Sequence, residues 1–135
     1  MWGDRLLPPD LGYSLWESSH NGTHDALDGI PRDIVICDWH YEIMANHDYP
    51  SVRWWQKQGF RVWPAGCYHE EAVQDLVRVC RRDATPLLQG IMATYWSAPS
   101  SLLNRLTGRI APAGDGNPDD RMAACVRLAG QLPIG

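Results

Sequence analysis

The stretch Asp33-Ile34-Val35-Ile36-Cys37-Asp38-Trp39-His40-Tyr41-Glu42 decides how the rest of the chain is read. It opens as a run of β-branched apolar residues, the pattern of a buried strand. It closes, without a break, in carboxylates and aromatic rings. Packing alone gives a core strand no reason to end that way, whereas a strand that delivers side chains to a pocket has one. Two related endings flank it, Met1-Trp2-Gly3-Asp4 and Ala93-Thr94-Tyr95-Trp96.

Working outward, four strands are predicted, at residues 1–7, 33–39, 60–64 and 89–96. Their starts lie roughly 30 residues apart, the length of one βα unit. Helices are predicted after three of them. Residues 50–58 begin at Tyr49-Pro50 and stop at Gly59, as helices with Pro in the first turn and Gly after the last do. Residues 70–82 carry Ala72, Val73, Leu76, Val77, Val79 and Cys80 on one side, with acids at the start and Arg78, Arg81 and Arg82 at the end. That order of charge complements the helix dipole. A shorter helix follows at 100–106 and a fourth, after a Gly/Pro/Asp-rich link at 112–117, at 118–132. The strands read as continuous apolar runs, which fit parallel strands covered by helices on both faces. Alternation of strand and helix gives the α/β class. Residues 8–32 break the pattern as a long loop of weak periodicity, and loops of that length are mostly functional or mobile.

Composition narrows the function classes. The 135 residues are enough for one domain with a core, 44% are hydrophobic and 21% charged. Seven are Trp, a residue used where flat ligands are held. The net charge of −4 and the lack of a Lys/Arg run argue against nucleic acid as a partner. No apolar run reaches the ~20 residues of a membrane span. Asp4 and Arg5 interrupt the N-terminus, so no signal peptide is read, and a cytoplasmic protein is the expectation. Cys37, Cys67, Cys80 and Cys125 form no CxxC pair and are expected as buried free thiols.

In parallel α/β folds ligands sit at the carboxyl ends of the strands. Here those ends hold Trp2 and Asp4, then Asp38, Trp39, His40, Tyr41 and Glu42, then Trp63, then Tyr95 and Trp96. Aromatic faces beside carboxylates suit a sugar, whose ring stacks on an indole while its hydroxyls take hydrogen bonds. Each position also has a packing explanation, since Trp fills cores and Asp caps loops. The argument rests on convergence over three strands. Metal binding is weaker. His20 and His24 are four apart but lie in the loop-like Ser-Ser-His-Asn-Gly-Thr-His, and a zinc pair at that spacing needs a helix. No GxSxG elbow, no phosphate loop and no cofactor motif is found.

At these residues the chain resembles the C-terminal half of the catalytic barrel of glycoside hydrolase family 20, the β-N-acetylhexosaminidases and their bacterial relatives. The matching pieces are Trp2-Gly3-Asp4, residues 31–42, Tyr49-Pro50-Ser51 leading to Gly59-Phe60-Arg61-Val62, and residues 90–97, in the expected order. The resemblance implies four βα units forming the second half of a TIM (β/α)8 barrel, within a single partial domain spanning 1–135. It implies that Trp2, Trp39 and Trp96 wall the pocket for a terminal amino sugar, and that Asp4, Asp38, Tyr41 and Glu42 bond its hydroxyls or N-acetyl group. In that family the substrate's acetamide is the nucleophile, and a neighbouring Asp-Glu pair orients it and protonates the leaving oxygen.

That pair is missing. The acidic neighbours Glu70-Glu71 and Asp119-Asp120 begin predicted helices, and Trp96-Ser97-Ala98 stands where the family often has Trp-x-Glu. A whole barrel needs about 250 residues. The expectation is therefore a family 20-like fragment that holds sugar-binding residues, has no catalytic residue and needs no metal or cofactor. Its partner would be the missing N-terminal half-barrel or a second copy. Two alternatives stand beside it: a non-catalytic carbohydrate-binding module, and a metal-dependent α/β hydrolase using His20, His24, Asp38 or His40.

Overall fold

Residues 1–114 and 116–131 are described by a computed structural model. Three strands, β1 (Val35–Trp39), β2 (Arg61–Gly66) and β3 (Met92–Ala93), form a parallel sheet in that order. Four α-helices accompany them: α1 (Pro50–Lys57), α2 (Glu70–Arg82), α3 (Pro99–Leu106) and α4 (Pro118–Ala129). Helices α1 and α2 are the crossovers from β1 to β2 and from β2 to β3. The fold is thus mixed α/β around a small parallel sheet.

Local chemistry explains the helices. Pro50 opens α1, and Gly59, at φ 81°, turns the chain into β2. In α2, Glu70 and Glu71 occupy the first turn and Arg81 and Arg82 the last, while Val73, Leu76, Val79 and Cys80 are buried. The Asn117 side chain caps α4 by accepting from the amides of Asp119 at 2.9 Å and Asp120 at 3.4 Å. An ion-pair cluster joins the first turn of α1 to the end of α2. Arg53 reaches Asp48 and Asp83 at 2.7 Å each, and Arg82 reaches Asp48 at 2.6 Å.

Four expectations are corrected. Residues 1–7 are not a strand: Trp2 makes a single parallel bridge to Cys37, and the chain turns at once so that Leu6 and Leu7 enter the core. In 89–96 only two residues pair as strand, with Leu88 bridging Val62 just before them. The strands are not covered equally on both faces. Ile36, Asp38, Val62 and Pro64 point toward α1 and α2 and are buried, whereas Val35, Cys37 and Trp39 are half-buried and Arg61 and Trp63 exposed. The loop at 8–32 contains two 3-10 stretches, Pro9–Leu11 and Thr23–Gly29, and buries Tyr13, Glu17, Ser18 and Ser19. The last predicted helix stops at Ala129; residue 132, like residue 115 of the preceding link, lies outside the described residues. All four cysteines are free, with Cys67, Cys80 and Cys125 buried.

Two glycines show how tightly the helices are seated. A Cβ on Gly3 would lie 2.7 Å from Ile36 Cγ2 and 2.8 Å from Trp55 Cζ2. One on Gly66 would lie 2.7 Å from Val73 Cγ2. Both contacts are closer than carbon atoms tolerate, and the neighbours are core side chains. Gly3→Ala and Gly66→Ala should each lower unfolding stability by about 1–3 kcal/mol in urea titrations. Gly29→Ala, where the new Cβ meets nothing within 4 Å, should be near neutral.

Candidate functional site

The aromatic strand ends converge. Trp2, Asp4, Trp39, Tyr41 and Trp96 line one pocket of about 330 Å³ on the half-open face of the sheet. Trp2 arrives by its bridge to Cys37, Trp39 closes β1, and Trp96 follows β3. Trp2 and Trp96 lie with ring centroids 6.2 Å apart and planes inclined by 40°. Trp39 and Tyr41 lie 5.1 Å apart at 49°. Trp2 is 42% and Trp96 64% exposed, so much of their ring surface meets solvent.

Hydrogen bonds fix this arrangement. The Trp96 indole N–H donates to the Tyr41 hydroxyl at 3.0 Å, and Thr94 Oγ1 lies 2.8 Å from the same oxygen. The amide of Thr94 is held by the Gly66 carbonyl at 3.0 Å, which ties Tyr41 to the end of β2. Burial pushes the Tyr41 hydroxyl's pKa up, against the two hydrogen bonds it receives. Asp4 contributes the pocket's carboxylate, with Oδ2 at 3.0 Å from Arg5 Nε. Tyr68 just beyond β2 adopts φ 56°, a left-handed conformation that is costly for a side chain of this size. From there its hydroxyl accepts from the Trp96 amide at 3.4 Å. Tyr68 and Thr94 therefore position Trp96 and Tyr41, and sequence reading gave neither a role.

Asp38 and Glu42 do not join the pocket. Asp38 is 2% exposed and faces the helices. Its Oδ1 accepts from Trp55 Nε1 at 2.9 Å and from His40 Nε2 at 3.1 Å, and its Oδ2 accepts from Ser51 Oγ at 2.7 Å. With both oxygens bonded inside the core and the side chain sealed from solvent, it does not face a ligand. The alternation of side chains along β1 explains this, because Trp39 and Asp38 must point to opposite faces. Glu42 is an exposed side chain whose Oε2 lies 3.9 Å from His69 Nε2.

The other half of the cluster after β1 is a buried charge network. His40 Nδ1 lies 3.2 Å from Glu17 Oε1, and its Nε2 lies 2.8 Å from Ser51 Oγ as well as near Asp38. Tyr13 stacks on the imidazole with centroids 4.0 Å apart and bonds Ser51 Oγ at 2.8 Å. Burial disfavours the imidazolium, but the charges and hydrogen bonds of Asp38 and Glu17 outweigh it and hold the His40 pKa up at about 9. Burial would also raise the Glu17 pKa, but hydrogen bonding to His40 and Ser14 and the imidazolium's charge hold it below its ordinary value. Ser51, His40 and Glu17 follow the order of a nucleophile, base and orienting acid. Ser51 and His40 are nevertheless sealed from solvent, so no substrate carbonyl can reach the hydroxyl. The arrangement is structural, fastening the 8–32 loop to β1 and α1. Glu17 and Tyr13 lie in a stretch of weak periodicity, which gave no signal of this role.

The remaining candidates are dispersed. His20 bonds Ser18 Oγ at 3.0 Å, and His24 lies 3.4 Å from Asp25. Among the described residues no group of three or more His, Cys, Asp or Glu is placed to hold a metal ion. Glu70-Glu71 and Asp119-Asp120 begin α2 and α4, outside the aromatic pocket. Asp119 accepts from Tyr95 and Ser101, and Asp120 pairs with Arg105 at 2.6 Å. Among the described residues no helix is long and apolar enough to cross a membrane. No protein-family model and no curated protein matches the chain.

The network sets a pH signature for stability. His40's folded pKa is raised from 6.5, so its contribution is complete below about 6.5 and is lost as pH rises through about 9. Glu17's is lowered from 4.5, so its contribution is complete above about 4.5 and is lost as pH falls through the folded value. Thermal unfolding followed from acid to alkaline pH should give a plateau between these limits. In His40→Asn the loss near pH 9 should vanish along with part of the plateau stability.

Proposed function

We propose that this chain is the back half of a family 20-like glycoside hydrolase barrel, contributing a pocket for a terminal amino sugar. One observation carries the reading: three indoles from three separate chain segments line one pocket with Asp4, Trp39 at the end of β1, Trp96 just beyond β3 and Trp2 bridged to β1. Indole faces take the apolar face of a pyranose, and the Tyr41 hydroxyl and Asp4 take its hydroxyls. The parallel order β1-β2-β3, with Trp2 bridged to β1, supports the reading without by itself distinguishing a barrel from another α/β sheet. Helices on the buried face and the half-open opposite face, with Cys37, Trp39 and Trp63, have the outside and inside of such a barrel as their counterparts.

The pocket holds a single carboxylate and no second acid to protonate a leaving oxygen. Hydrolysis by the substrate-assisted route then needs groups from a complementary half-barrel, on another segment or a second copy. The same deficit favours a second reading, a carbohydrate-binding module without catalysis. In both, N-acetylglucosamine or a related amino sugar should quench Trp fluorescence, and Trp39→Ala or Trp96→Ala should abolish the quenching. An unchanged signal in either variant would remove the pocket from the account. Turnover of aryl N-acetyl-β-glucosaminides by the isolated chain should be weak or nil, and robust turnover would mean that an acid has been overlooked.

The half-barrel part is tested separately by size. An open parallel sheet leaves strand edges and apolar surface to be covered. Sedimentation at micromolar concentration should find self-association or a poorly cooperative thermal transition. A cooperative, compact monomer would overturn the half-barrel assignment and leave the sugar pocket to be judged by its own titrations.

A further inference from the structure

The half-open face of the sheet carries more indole than the pocket uses. Trp2 bridges Cys37, and Cys37 is the register partner of Trp63, so the three stand in one row across the sheet. Side chains in register on neighbouring strands point to the same side, while those one residue apart point to opposite sides. Trp39, two residues beyond Cys37 on β1, therefore shares that side with Trp2 and Trp63. Trp63 is not among the residues lining the pocket. It lies beside it, roughly 10 Å from Trp2 at two strand spacings, and the side chain between them is the small thiol of Cys37. Its indole is 42% exposed, as is that of Trp2. Arg61, two residues earlier on β2, is the charged neighbour of Trp63 on this face. The pocket thus continues over a low floor onto a further indole, and aromatic surface left open in a continuous patch marks a place where a ligand docks. A single sugar ring in the pocket leaves that surface bare.

Resting on the carbohydrate reading above in its non-catalytic form, we propose that this face binds a β-linked oligosaccharide of N-acetylated amino sugars instead of a single ring. The terminal ring enters the aromatic pocket, whose volume of about 330 Å³ is at the small end for ligands and suits one sugar. The chain then passes over Cys37, and a following ring lays its apolar face on Trp63. In the half-barrel form of the reading the same face is the covered inside of a barrel, so a sugar chain and a second half compete for it.

The test compares N-acetylglucosamine with its β-1,4-linked trimer on the whole chain, by Trp fluorescence titration and by alkylation with iodoacetamide mapped by mass spectrometry. Cys37 is the half-buried thiol and Cys67, Cys80 and Cys125 are buried, so fast alkylation reports this face. The trimer is expected to bind roughly tenfold tighter than the monosaccharide, as one added ring stacked on an indole gives. It should also slow alkylation of Cys37, which the monosaccharide leaves unchanged. Trp63→Ala should bring the trimer down to the affinity of the monosaccharide, with monosaccharide binding intact. A thermal melt checks that the variant folds, and protection of Cys37 in the native chain stands whether it does or not. Equal affinity of the two sugars, or a tighter trimer that leaves Cys37 unprotected, would overturn the inference and leave the pocket's carbohydrate reading intact. Protection of Cys37 that grows with protein concentration without sugar would put a second copy on the face and overturn it as well. Binding of neither sugar would overturn both the inference and the carbohydrate reading.

Discussion

An imidazolium held between two carboxylates inside the protein is the constraint on which the rest depends. His40, Asp38 and Glu17 come from a strand end and a long loop, and Ser51 and Tyr13 complete their hydrogen bonding. Buried charges are tolerated only when paired and fully bonded. Removing one partner would strand the others, so the cluster acts as a unit. Because Asp38 also takes the Trp55 N–H, the same carboxylate fixes α1 against β1. The orientation of β1 follows, and with it the direction in which Trp39 leaves the sheet. The network and the pocket are thus two faces of one strand. One face is dry, charged and structural, and the other is aromatic and open to solvent.

Much of the architecture was legible in the sequence because it is encoded locally. The apolar face of α2 and its charge polarity, Pro50 and Gly59 around α1, and the run from Ile34 to Cys37 all act within a few residues of themselves. Five of the seven proposed ligand-contacting residues share the pocket for a related reason: Trp2, Asp4, Trp39, Tyr41 and Trp96 terminate segments whose endings repeat one pattern. What failed to show was long-range or depended on facing. Asp38 and Trp39 are adjacent in sequence and opposite in space, and only a firm assignment of which face is buried separates them. Residues 1–7 have strand-like composition, yet Leu6 and Leu7 gain more by turning into the core than by extending a ladder. Glu17's role depends on His40, 23 positions away, and no periodicity announces such a partner.

The seven Trp residues divide along the same lines. Trp54 and Trp55 pack edge to face within α1, at 4.7 Å between centroids, and Trp55 goes on to Phe60 in the core. Trp2, Trp39 and Trp96 form the pocket walls. Trp63 is left on the half-open face of β2, and Trp16 stands out from the loop, 74% exposed. One residue type therefore serves as filler, as pocket wall and as bare apolar surface, and only position distinguishes the uses. Tyr68 adds the strained element. Its backbone is left-handed, as is that of His47, and its hydroxyl accepts from the Trp96 amide.

The docking of the 8–32 loop also bears on how the molecule is held closed. Contacts among α1, β2 and α2 join neighbouring stretches of chain, whereas Tyr13 meets Ser51 across 38 positions. Closing so long a loop carries an entropic cost, which the polar cluster offsets together with Leu11, Leu27 and Ile30, loop residues packed against the core. The cluster is therefore also a clasp, and a variant that breaks it would release the loop and admit water to Asp38 and His40.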